Sequence, residues 1–288
     1  MKKAIHIAAP ALAVLLAIES LLVSCDKKQP DGGKPVIAVS IVPEATFVRA
    51  VCGELAEVVT LIPPGYSPEN YEPKPGDMMS FEEAALYFTI GVPAEAGILP
   101  HVPKSVKIVA LHEEVAEVYP EQTFSSGDRD PHIWLSPKRV KVMIEAIARE
   151  LSLLDPENAG IYSQNAAAYL SQLDGLDSEI ASALEGVKNR KIIVYHPAFG
   201  YLAEDYGLTM YALEEEGKEA TAKRLAEMVE LARAENIKVI FYQEEIDTSQ
   251  SAAFAEEIGG VAIKLSPLAA DYIDNLKRMA ELLAYAMQ

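Results

Sequence analysis

With 288 residues, 50% of them apolar and 24% charged, the chain is long enough for two lobes with sizeable cores and too apolar to be disordered. Its net charge of −18 argues against a nucleic-acid partner and is compatible with a protein that handles cations.

The chain opens as a targeting segment. Lys2 and Lys3 give a positive start, an apolar run from Ala8 to Val23 follows, and it ends in "LVSC" at Leu22–Cys25. That ending resembles a bacterial lipobox, so residues 1–24 are expected to be a signal peptide and Cys25 the lipidated first residue of the mature chain. A transmembrane anchor fits less well, because the run is short and carries Glu19. Residues 25–34, polar and rich in Gly and Pro, then form a tether. With Cys25 lipidated, Cys52 has no disulfide partner, and its apolar helical surroundings predict burial.

From Pro35 onward, β-branched runs alternate with helical ones. Strands are expected at 35–43, 57–65, 87–92 and 106–111, with helices at 44–54 and 78–86. Such alternation implies a parallel sheet with helices on its faces. Then Asp155-Pro156-Glu157 reads as a helix start, with Asp155 as the cap. Apolar residues recur at Tyr162, Ala166, Tyr169, Leu173, Leu176, Ile180 and Leu184, and the next proline is Pro197. A helix from 156 to about 186 would run roughly 45 Å, too long for one lobe and suited to joining two. A second α/β unit follows, with strands at 191–196, 208–213, 238–243 and 261–267, helices at 200–207, 221–236 and 251–260, and a closing helix that begins near Asp271. The expected division is an N-terminal lobe over 35–154, a linking helix over 155–187 and a C-terminal lobe over 188–288.

Of the five histidines, His6 leaves with the signal segment, His101 sits between prolines in a loop, and His112 follows a strand. His196 closes the strand "IIVYHP", at the end where parallel sheets bind ligands. His132, in "DPHIWLSP" (130–137), stands in a turn before the helix that starts near Pro137. A lone histidine is commonly a satisfied polar group. Two at loop or strand-end positions in opposite lobes suggest a site for zinc or another first-row metal, and carboxylates widen the choice toward manganese.

"LIPPGYSPENYEPKPGD" (61–77), "DPHIWLSP", "LDPEN…Y" (154–162), "YHPAFGYLAEDYGL" (195–208) and "LSPLAADYIDNL" (265–276), with the long central helix and the lipobox, resemble the zinc- and manganese-binding solute-binding proteins of bacterial ABC importers. The resemblance covers residue 35 to the end. It implies two α/β lobes joined by a rigid helix, a divalent ion held between them and handed to an importer permease, a monomer, and no catalysis. It carries a ligand role to His132 and His196. Glu69 stands where the family usually has a histidine, and Ser266 where it often has an aspartate. Glu69 is therefore expected as a carboxylate ligand, its plain alternative being a loop acid. Glu245 is the candidate for the fourth ligand, with Glu244 and Asp271 as competitors, although Asp271 also reads as a helix cap. The stretch 213–221 supplies more carboxylates near the same cleft edge, most of them expected to be solvated. Residues 119–130 hold no histidine, so no auxiliary metal-gathering loop is expected.

Three histidines would favour zinc; two with carboxylates also fit manganese or ferrous iron, and zinc is the first expectation. Affinity should fall as pH drops through the histidine range. The expected location is extracytoplasmic, lipid-anchored at the periplasmic face or cell surface. Asp26, directly after the lipidated cysteine, is a residue type associated with retention at the inner membrane. Two alternatives stand beside this reading: a metal-free adhesin or interaction protein on the same fold, suggested by the missing histidine and aspartate, and a metal-dependent hydrolase using Glu69 or Glu245 as base. No paired-histidine helix supports the latter.

Overall fold

The computed structural model describes residues 33–74, 76, 83–214, 219–246 and 249–288. The signal peptide, Cys25 and most of the tether lie outside the described residues, as does most of the helix expected at 78–86. Among the described residues no helix is long and apolar enough to cross a membrane.

Two four-stranded parallel sheets carry the fold. The first has the order β2-β1-β3-β4, from Val36–Val39 (β1), Glu57–Thr60 (β2), Ala84–Thr89 (β3) and Lys107–Ala110 (β4). The second repeats it as β6-β5-β7-β8, from Lys191–Val194 (β5), Thr209–Ala212 (β6), Val239–Gln243 (β7) and Val261–Leu265 (β8). In each sheet the order reverses between its first and third strands, and a crevice opens there at the carboxyl ends.

Strand β1 is shorter than its apolar run implies. It stops at Val39 because the helix Val42–Cys52 has already begun, with Pro43 in its first turn. The Glu44 carboxylate accepts the N–H groups of Ser40 and Ile41, both at 3.0 Å, and so replaces the ladder bonds those residues would have made. Strand β3 starts earlier than expected: Ala84–Leu86 pair with β1 and are not helical. Long-range pairing overrides a helix-prone "EEAAL" run.

The linking helix spans Ala159–Ala183, about 37 Å at ~1.5 Å per residue. The expected stripe is its buried face: Tyr162, Ala166, Tyr169, Leu173, Leu176 and Ile180. The helix is shorter than its apolar stripe. Residues Pro156–Asn158 form a single tighter turn, and the chain leaves the helix before Gly186, at φ 75°. Asp155 does not cap through its side chain onto the backbone; its Oδ2 accepts from Asn158 Nδ2 at 2.7 Å and from the Tyr162 hydroxyl at 2.9 Å. Cys52 is fully buried, as expected.

One continuous cluster of buried side chains runs from the first sheet, along the linking helix, to the inner face of the second sheet and the C-terminal helix Tyr272–Ala286. A smaller cluster fills the outer face of the second sheet. The lobes are therefore packed together and not merely tethered. Trp134 Nε1 donates to the Pro267 carbonyl at 3.0 Å, and the Tyr272 hydroxyl donates to the Trp134 carbonyl at 2.8 Å. Arg139, 2% exposed, lies 4.4 Å from the Tyr201 ring and pairs with Asp205 at 3.1 Å and Glu204 at 2.8 Å. A buried cation whose partner is removed costs several kcal/mol, so this clamp resists separation of its two sides.

Candidate metal centre

Each candidate donor sits just past a piece of regular structure. On β5, Ile192 and Val194 point to the inner face and Ile193 and Tyr195 to the outer one, so His196 comes next on the inner face. The Tyr195 N–H still bonds the Phe241 carbonyl at 2.7 Å, which carries the ladder to the edge of the site. His132 precedes a single turn, Ile133–Leu135, and then the helix Pro137–Leu154, whose N-terminus is capped by the Ser136 hydroxyl. Glu69 lies on the loop after β2. That loop is tied at its start by Leu61 and Ile62 N–H groups on the Val39 and Ser40 carbonyls, and near Glu69 by Ala94 N–H on the Pro68 carbonyl.

These elements bring three donor atoms together. His132 Nε2 and His196 Nε2 are 3.2 Å apart, and Glu69 Oε1 is 3.4 Å from the first and 3.8 Å from the second. Among the described residues, this is the group of histidine, cysteine and acidic side chains that could hold a metal ion. The point equidistant from the three atoms lies about 2.0 Å from each, at the length of zinc–nitrogen and zinc–oxygen bonds. Both histidines are nearly inaccessible, and Glu69 Oε1 is buried without a hydrogen-bond partner. A buried carboxylate oxygen facing two imidazole nitrogens is costly unless a cation joins them.

The other side of each ring is also fixed. His132 Nδ1 lies 2.7 Å from Asp130 Oδ1, and His196 Nδ1 is held by Glu214 Oε1. Carboxylates only accept, so each Nδ1 carries the proton and each Nε2 is left as the ligand atom. Burial pulls the pKa of His132 down, but Asp130 and Glu69 outweigh it and the ring is pushed up to about 9. Burial would raise the Glu69 carboxyl, yet His132 and, behind it, His196 hold it below the usual glutamate value. In the metal-free chain a proton on His132 thus takes the place of a cation.

Three of the four expected ligands meet, and Glu245 falls outside the group. Strand β7 ends at Gln243, and the chain then turns so that Glu245 lies on the wall of a cavity of about 640 Å³ with Glu244, Ser266, Ile41 and Ile62. There its Oε2 is buried without a partner, and burial raises its pKa. Its competitors are engaged elsewhere: Glu244 with Lys264 at 2.9 Å, and Asp271 with Arg278 at 2.6 Å. Asp271 does occupy the cap position of the last helix, without a side-chain cap bond. His101 is exposed, while half-buried His112 has its pKa lowered by burial and by Arg129.

Two carboxylates that hold the imidazole rings, Asp130 and Glu214, are not among the residues expected at the site. Asp130 was part of the quoted motif, and its position two residues before His132 is the only local signal. Glu214 belongs to the acidic stretch 213–221, expected near the cleft edge and for the most part solvated, yet it is 4% exposed. Its N–H bonds the Tyr195 carbonyl at 2.9 Å, so it ends β6 beside His196 at the end of β5. Pairing the two strand ends in register would have found it.

The chain is similar to several known proteins. The model of a family described as ZnuA, zinc-uptake complex component A, periplasmic, matches residues 37–286. A putative metal-binding protein of Chlamydia trachomatis is 29% identical over 93% of this chain and 97% of its own length. The zinc-binding lipoprotein AdcA of Streptococcus pneumoniae is 30% identical over 89% of this chain, which spans 54% of that protein. A crystal structure of ZnuA superposes with a TM-score of 0.84 at 36% identity, covering 89% of this chain and all of that one.

Proposed function

Because the chain belongs to the ZnuA family of zinc-uptake components, we propose that it captures a divalent metal ion, zinc ahead of manganese, with Glu69, His132 and His196, and passes it to the permease of an ABC importer. The observation that carries this reading is the convergence of three donor atoms on a point about 2.0 Å from each. Two imidazoles favour zinc over manganese in affinity, and the single carboxylate keeps manganese in play. The same reading makes Cys25 the lipid anchor, places the chain outside the cytoplasm as a monomer, and divides it into lobes over 35–154 and 188–288 joined by 155–187. The parallel repetition of the two sheets supports that division.

The family consists of metal-uptake components and not enzymes, which removes the hydrolase alternative. A metal-free interaction protein would have no need to keep three buried donors aimed at one point, so their convergence speaks for cargo binding. The test is metal content and competition on the purified chain. One zinc per chain is expected, with manganese competing only at roughly a hundredfold excess or more. Absence of bound metal, together with no rise in melting temperature on adding zinc, would overturn the reading, since a ligand of the native state must stabilise it.

A further inference from the structure

The Asp130 carboxylate uses one oxygen twice: Oδ1 accepts the His132 N–H at 2.9 Å and holds His132 Nδ1 at 2.7 Å. Its other oxygen faces the opposite lobe. There the chain that follows His196 turns into the short helix Gly200–Tyr206. A Cβ placed on Gly200 would stand 2.7 Å from Asp130 Oδ2 and 2.8 Å from Gln122 Oε1. Asp130 yields poorly, being 2% exposed and pinned through Oδ1, whereas Gln122, half-buried and bonded through Nε2 to the exposed Glu204 side chain at 2.7 Å, can swing its amide aside. The next residue grips the same loop from the main-chain side: the Tyr201 hydroxyl donates to the Asp130 carbonyl at 3.0 Å and accepts the Gln122 N–H at 3.0 Å.

We propose that Gly200 is a positioning residue of the metal centre: its missing side chain is the space that lets Asp130 lie against the second lobe and aim His132 at His196. The proposal rests on the ligand set described above. Gly200 is four residues from His196 and is packed on the orienter of His132, so it links the two imidazoles mechanically. A methyl group there must either push the Asp130 carboxylate off its hydrogen bonds or lift the helix that carries the chain from His196. Both moves change the 3.2 Å separation of the two Nε2 atoms. A single cation tolerates little change in that separation, because its bonds to both rings are about 2.0–2.1 Å long.

The experiment is a double-mutant cycle on the full chain, with zinc affinity read by chelator competition and site geometry by the visible spectrum of the cobalt-substituted protein. Gly200→Ala should weaken zinc binding about 10–100-fold, as loss of an outer partner does, and should alter the cobalt spectrum. In an Asp130→Ala background, which removes the carboxylate that would collide, the same substitution should change affinity less than about twofold, because the two residues act through one contact. Gly175→Ala, on the linking helix with no atom within 4 Å of its added Cβ, is the control and should change nothing. If Gly200→Ala alone does not fold, the double variant still reports, since its clash with Asp130 is relieved. Wild-type affinity in Gly200→Ala, or additive losses in the double variant, overturns the proposal. Failure of the wild-type chain to bind zinc would instead overturn the ligand assignment beneath it.

Discussion

Replacing His196 with alanine is expected to weaken zinc binding by on the order of a thousandfold, well beyond the ~10–100-fold cost of losing an outer partner. The ring supplies one of three converging donors and is 2% exposed, so water reaches its place poorly. Among the described residues, none of the acids expected as a further ligand joins the converging group. Glu245 lies on the cavity wall, Glu244 is paired with Lys264, and Asp271 with Arg278. Removing the ring also takes one hydrogen-bond partner from buried Glu214 and leaves space in the interior, so the metal-free variant should lose stability as well. The comparison is His101→Ala, at an exposed position, which should leave affinity unchanged. Chelator competition measures both, and a His196→Ala affinity within tenfold of wild type would contradict the assignment.

The second large effect is on pH. His132 in the metal-free chain keeps its proton up to about 9, against an ordinary value of 6.5. Its folded pKa lies above its unfolded one, so this proton stabilises the metal-free fold fully below about 6.5, and that contribution is lost as pH rises through about 9. Binding has the opposite dependence. The cation needs the Nε2 lone pair, so each zinc bound below about 9 displaces one proton from His132, and affinity from this group rises about tenfold per pH unit until it levels off. Glu69 stays ionised across this range because its pKa is lowered. The window is therefore higher than the ordinary histidine range that the sequence suggested, since Asp130 and Glu69 together outweigh burial. Calorimetry near neutral pH in buffers of different ionisation enthalpy should count the released proton. A flat affinity between about pH 6.5 and 9 would show that His132 carries none.

The same contrast between local and distant causes explains what the sequence made legible. The alternation of strands and helices, the buried stripe of the linking helix and the two histidines at loop and strand ends follow from periodicity and breakers, which act over a few residues. Glu69 was legible because its loop keeps the surrounding prolines, Tyr71 and Glu72. The misses come from contacts between distant segments. Ala84–Leu86 became strand by pairing with β1, although their own run favours helix. Glu214 became buried because β6 ends beside His196, while its neighbours in an acidic run gave no such sign. Glu245, following the strand that ends at Gln243, does reach the same cavity wall as Ser266, but the three converging donor atoms meet without it. Gly200 reads locally as an ordinary helix start, and its crowding comes from Asp130, distant in sequence and packed against it.

The most direct measurement is diffraction from the zinc-loaded chain, recorded across the zinc absorption edge. The account predicts one anomalous peak, bonded to Glu69 Oε1, His132 Nε2 and His196 Nε2 at about 2.0–2.2 Å each. A zinc ion bound elsewhere, or at this place with any one of those three atoms turned away, would contradict it.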